Sequence, residues 1–138
     1  MKYLLIIAAL IAGNVQAERV GKVTTSGWLF KDSIVIDSFR DHTISGVACH
    51  VTSPNRALSF EDQSNSSIAC RQVGKISGDY KKNVSNIFSK SKNFFFKKML
   101  VDRFWDKKNK VLVYISYTKK SKGTNASHSV SSIALYKN

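Results

Sequence analysis

Few side chains in this chain are of the types that do chemistry, and their spacing narrows what that chemistry can be. The two thiols are Cys49 and Cys70. They lack the Cys-x-x-Cys spacing that lowers a thiol pKa for redox work. The three imidazoles, His42, His50 and His128, form no His-x-His or His-x-x-x-His pair, and no Gly-x-Ser-x-Gly elbow accompanies them. No metal site, cofactor or catalytic residue is assigned on this basis. Asp37, Asp41, Asp102 and Asp106 are the carboxylates that a two-acid mechanism could draw on. Asp102 and Asp106 flank Arg103, Phe104 and Trp105, where an ion pair or a turn cap is the more economical reading. What remains is a block of cations and rings. Lys97, Lys98, Arg103, Lys107 and Lys108, with Trp105, are the candidate residues for binding an anion or a partner. Cations hold anions and rings offer stacking surfaces, although such rings more often belong to a core.

The charge is lopsided. The 138 residues carry a net charge of +13. Between Glu18 and Gly74 acids and bases cancel. Between Lys75 and Lys122 fourteen basic residues face only Asp79, Asp102 and Asp106, and thirteen of the fourteen are Lys. A solvated lysine face and an anion-binding face both fit this pattern, since net charge governs association and solubility and says nothing of fold.

Residues 1–17 decide which anions matter. Lys2 provides a positive start, Leu4 to Ala12 an apolar run, and Val15-Gln16-Ala17 a small-residue cleavage pattern. A cleavable export signal is expected, with residues 18–138 as one domain. The apolar run is too short to span a bilayer, so no transmembrane anchor is expected after cleavage. Export to the periplasm argues against a nucleic-acid partner and for an envelope protein or polyanion. In that oxidising compartment a Cys49–Cys70 disulfide is the default, with two buried free thiols as the alternative.

The elements that must hold these residues read as strands. Gly27 to Phe30, Ser33 to Phe39, Gly46 to Val51, Ile68 to Val73, Phe94 to Trp105, Val111 to Tyr117 and Ser132 to Tyr136 are rich in β-branched and aromatic residues. Asp106 to Lys110 reads as a hairpin loop. Lys75 to Ser91 reads as loop, with at most a short helix from Val84 to Phe88. The expected fold is mainly β, a single antiparallel sandwich or barrel-like domain. Alternation along Phe94 to Trp105 sets Phe94, Phe96, Leu100 and Phe104 on one face, and Phe95, Met99, Val101 and Trp105 on the other.

The order of several blocks resembles the CreA family of exported bacterial proteins. These blocks are Gly21-Lys22-Val23, Val47-Ala48-Cys49, Ile68 to Gly74, Phe96-Lys97, Val101 to Asp106, Tyr114 to Tyr117 and Asn125-Ala126-Ser127. The resemblance implies a periplasmic location, a single small domain and paired cysteines, and brings no activity with it. A non-enzymatic binding or accessory protein is therefore the expected function. A small periplasmic enzyme with a carboxylate or histidine site is the alternative, and a partner for another protein through an apolar patch is a third.

Overall fold

A computed structural model describes residues 17–28, 32–55, 66–92, 97–119 and 127–135, apart from the side chains of residues 91, 92 and 97. Eight strands follow in chain order: β1 (Glu18–Ser26), β2 (Asp32–Arg40), β3 (Ile44–Asn55), β4 (Ser67–Gly78), β5 (Val84–Lys92), β6 (Lys97–Asp106), β7 (Val111–Lys119) and β8 (His128–Ala134). They form two four-stranded sheets, β1-β2-β3-β4 and β5-β6-β7-β8, and every pairing is antiparallel. Each strand pairs with its neighbour in sequence, so the two sheets are the two halves of the chain.

Alternation explains the middle strands. In β2 Ser33, Val35, Asp37 and Phe39 point inward, and in β7 Leu112, Tyr114, Ser116 and Thr118 do. One core joins the sheets: Phe39, Ile44, Val47, Cys49, Val51, Ile68, Cys70 and Ile76 from the first meet Ile87, Phe88, Met99, Val101, Leu112, Tyr114 and Ile133 from the second. Phe39 and Phe88 stack across the interface with centroids 4.4 Å apart and planes 5° from parallel. The Cys49–Cys70 disulfide forms between residues directly opposed on β3 and β4, inside this core.

Irregularities keep the pattern in phase. Ile44 and Val47 are both buried although three apart, which needs a bulge between them. Gly46 supplies it with φ +87°, and a Cβ there would sit 2.4 Å from the Lys75 carbonyl oxygen. In β5 four residue steps, Val84 to Phe88, oppose two on β6, and Asn86 takes φ 56°. Ile87 and Phe88 therefore both turn inward.

The segment expected to be loop or short helix is thus a bulged strand, and no helix occurs among the described residues. Glu18 to Ser26 is a strand that no alternation announced; all its residues but Gly21 are exposed. Gly27 and Trp28, read as a strand, instead follow the end of β1, Gly27 with φ 104° and Trp28 88% exposed. Leu29, Phe30, Phe94 to Phe96 and Tyr136 lie outside the described residues.

Candidate functional site

The strands distribute the candidate cations in a way their closeness in sequence does not suggest. β6 points Met99, Val101 and Arg103 into the core and turns Lys98, Leu100, Asp102 and Phe104 outward. Arg103 is 1% exposed. Lys98 is exposed at one end of β6, whereas Lys107 and Lys108 are exposed in the turn at the other. Nine residues of extended chain separate these ends by roughly 30 Å. Lys97 opens β6, but its side chain lies outside what the structure describes. Trp105 faces the core side, half-buried, with Tyr80 edge-on to it at 5.5 Å and 70°. Its backbone N–H donates to Asn83 Oδ1 at 2.9 Å.

The fold does bring other lysines together. Lys98 lies directly opposite Lys119 in the β6–β7 ladder, and both are exposed. Lys110 joins Lys107 and Lys108 in the turn, in a left-handed conformation with φ 55°. None of these five makes an ion pair with a described residue. Like charges directly opposed across a ladder repel, so an anion between Lys98 and Lys119 would relieve that repulsion.

Arg103 has a different set of partners. Its Nη1 donates to Asp41 Oδ2 at 2.8 Å and to Thr43 Oγ1, and its Nη2 donates to the carbonyls of Asp79 at 3.2 Å and Lys82 at 3.1 Å. Both charged side chains are fully buried. Asp41 also accepts from Tyr114 Oη at 2.7 Å, Thr43 Oγ1 at 2.6 Å and the Thr43 N–H at 2.9 Å. Burial opposes the charge on Asp41, yet the hydrogen bonds from Thr43, Tyr114 and Arg103 outweigh it and hold the pKa below the usual carboxylate range. Burial, reinforced by the Asp41 carboxylate, drives the Tyr114 phenol well above the ordinary tyrosine range. Arg103 Nε is the single buried side-chain nitrogen or oxygen without a hydrogen-bond partner among the described residues.

Asp37 makes a second link between the sheets. Arg19 of β1 reaches its Oδ1 at 2.7 Å and Lys90 of β5 its Oδ2 at 2.6 Å. Burial again works against the carboxylate, and the hydrogen bonds and charges of Lys90 and Arg19 lower its pKa further than burial raises it. The remaining acids are engaged locally. Asp102 accepts from the Asn86 N–H at 2.7 Å and from Tyr117 Oη at 3.1 Å, and Asp106 caps its turn through Asn109. His50 and His128 lie exposed on the outer faces of different sheets, and His42 lies exposed in the turn after β2. No three His, Cys, Asp or Glu side chains converge as metal ligands among the described residues.

Residue parity along β6 already groups Arg103 with Met99 and Val101, the signal that points to its burial. Lys119 was missed for a different reason: with Lys120 to Asn125 it reads as loop, whereas it is the last residue of β7. The turn before β7 also differs from its expectation. A five-residue loop would pair Trp105 with Val111, whereas Asp106 pairs with Val111 and the loop has four residues. A one-residue slip changes every partner along a ladder.

A family model described as CreA protein matches residues 20–138. Protein CreA of Escherichia coli K12 is 30% identical over 155 aligned positions, which cover 98% of this chain and 97% of that protein. The proteins of the same name from E. coli strains CFT073 and O157:H7 match with the same identity and coverage. No solved structure matches the chain.

Proposed function

The chain belongs to the CreA family, and on that footing we propose that it is a periplasmic, non-enzymatic binding or accessory protein whose β6–β7 sheet engages an anionic envelope partner. The observation that carries this reading is the set of five exposed lysines on that sheet, with Lys98 set against Lys119 and none matched by a described carboxylate. The export-like residues 1–17 support the compartment, and so does a core disulfide of the kind that persists where thiols are oxidised. The buried Asp41–Arg103–Tyr114 cluster holds the two sheets together; the work of binding falls to side chains that reach solvent.

The test is thermal unfolding against a panel of envelope polyanions, sugars and small anions at low and high salt. Binding to the folded state raises Tm by mass action, and salt weakens an electrostatic partner. A selective rise that fades with salt and is lost in Lys98→Ala/Lys119→Ala is the expected result. A ligand-induced rise that persists in that variant would move the partner elsewhere on the molecule.

A further inference from the structure

The outer face of the second sheet carries an apolar strip across its middle, edged by Ser89, His128 and Ser132. Register places Leu100 beside Tyr117, Ile115 beside Val130, and Phe104 beside Val113. Phe104 is 45% and Val130 63% exposed, and the other four are half-buried against their neighbours. Such contiguous apolar surface on a sheet marks a contact with something else. At one end of this field stand Lys98 and Lys119; at the other stand Lys107, Lys108 and Lys110.

We propose that this face docks on an anionic phospholipid surface, with Phe104 and Val130 in the headgroup layer and the lysines at either end on lipid phosphates. The inference rests on the function proposed above and names its partner. Three features select lipid over other anions. A soluble polyanion or acidic glycan would satisfy the lysines and leave the apolar field in water, whereas an anionic amphiphile satisfies both. The indole this sheet carries for stacking on a sugar, Trp105, is turned toward the core against Tyr80, and the exposed Trp28 belongs to the other half of the chain. Protein interfaces favour Arg and deplete Lys, but here the exposed cations are lysines and Arg103 is buried. Flexible ammonium point charges suit a fluid array of phosphates better than fixed carboxylates. Asp102 sets the depth. Its carboxylate, held by Asn86 and Tyr117 in the middle of the face, keeps the sheet at headgroup level, because a charge in hydrocarbon is costly.

The experiment uses protein recovered after export, with its N-terminus read by mass spectrometry so that the apolar Leu4–Ala12 run is known to be absent. Flotation is measured with vesicles of phosphatidylcholine alone and with roughly a third phosphatidylglycerol, at low and high salt, and inorganic polyphosphate serves as the soluble polyanion. Binding is expected to the phosphatidylglycerol vesicles alone and to fall with salt. Lys98→Ala/Lys119→Ala should weaken it by about 30-fold, from about a factor of five per lysine near an anionic surface. Phe104→Ser/Val130→Ser should weaken vesicle binding by roughly tenfold or more and leave polyphosphate binding unchanged. Phe104→Leu, which stays apolar, should retain vesicle binding, and thermal melts verify that every variant is folded. Vesicle binding indifferent to the serine pair overturns the inference, as does polyphosphate binding without vesicle binding; in both cases the proposed anionic partner survives. Binding to neither probe removes both readings. Vesicle binding that ignores salt and the lysines also overturns the inference.

Discussion

Replacing Arg103 with Met removes a fully buried cation and leaves its neighbours behind. The guanidinium donates to Asp41, Thr43 and two backbone carbonyls, at 2.8 to 3.2 Å where the separations are ordinary. Breaking a buried ion pair by removing one partner costs about 3–5 kcal/mol, because the surviving charge has been desolvated without compensation. Arg103→Met belongs near the lower end, since Asp41 keeps three donors, two from Thr43 and one from Tyr114. Asp41→Asn belongs near the upper end, since it strands the guanidinium among neutral acceptors. Against a typical total of about 5–15 kcal/mol, either change consumes a large share of the stability. For a domain of this size it lowers Tm by roughly 12–20 °C. The assay is urea unfolding of the oxidised protein, with the midpoint shifting at constant slope. Because each single change strands the other's charge, the double variant should cost at least about 1–2 kcal/mol less than the sum of the singles. Single costs below about 1 kcal/mol, or strict additivity, would refute the claim that this pair locks the sheets together.

Stability should also depend on pH at both extremes. Asp37 and Asp41 have folded pKa values below the ordinary 3.8, so their contribution is present above that value and is lost as pH falls through the lowered ones. Melting temperature followed downward from about pH 5 should fall steeply below about pH 4, and less so in Asp37→Asn. Tyr114 is raised above its ordinary 10.0, so its contribution is present below that value and declines as pH climbs past it; Tyr114→Phe should flatten this alkaline limb. Reducing the Cys49–Cys70 bridge should cost about 3 kcal/mol, the chain-entropy value for a loop of some 20 residues, read as the shift in urea midpoint on adding reductant. Gly46→Ala should destabilise by about 2 kcal/mol or more, since a left-handed φ and a carbonyl contact both oppose the new methyl; a midpoint unchanged from wild type would show that the bulge can relax.

Strands with one buried face announce themselves, and those without do not. β2, β3, β6 and β7 alternate because their inward residues meet a core. Along β1, Val20 and Val23 are each 57% exposed, so burial imposed no periodicity on it. β5 misleads for the opposite reason: its bulge turns adjacent Ile87 and Phe88 inward, which imitates the spacing of a helical stripe. The candidate site divides along similar lines. Lys98, Lys107 and Lys108 were legible as cations at the surface. Arg103 shares its parity with Met99 and Val101, but a charge is ordinarily solvated, and its compensation by Asp41 comes from the other sheet, where no local pattern reaches. Lys119 opens a Lys-, Ser- and Gly-rich run whose composition reads as loop, and only pairing with Lys98 carries β7 through it.

The grip of Arg103 on the Asp79 and Lys82 carbonyls makes each half of the molecule depend on the other. Those carbonyls belong to the crossover between the halves, and Asp41 and Thr43 belong to the first half, so four oxygens gather around a cation delivered from β6. The residue occupies the position that a bound metal ion takes in a calcium loop, and the chain supplies it late. Neighbour-to-neighbour pairing leaves each sheet complete within its own half of the chain, so this cation is one of the polar ties that cross between them. Because the first half and the crossover close around a charge borne by the second, the two halves cannot part without stranding a guanidinium and the oxygens that surround it.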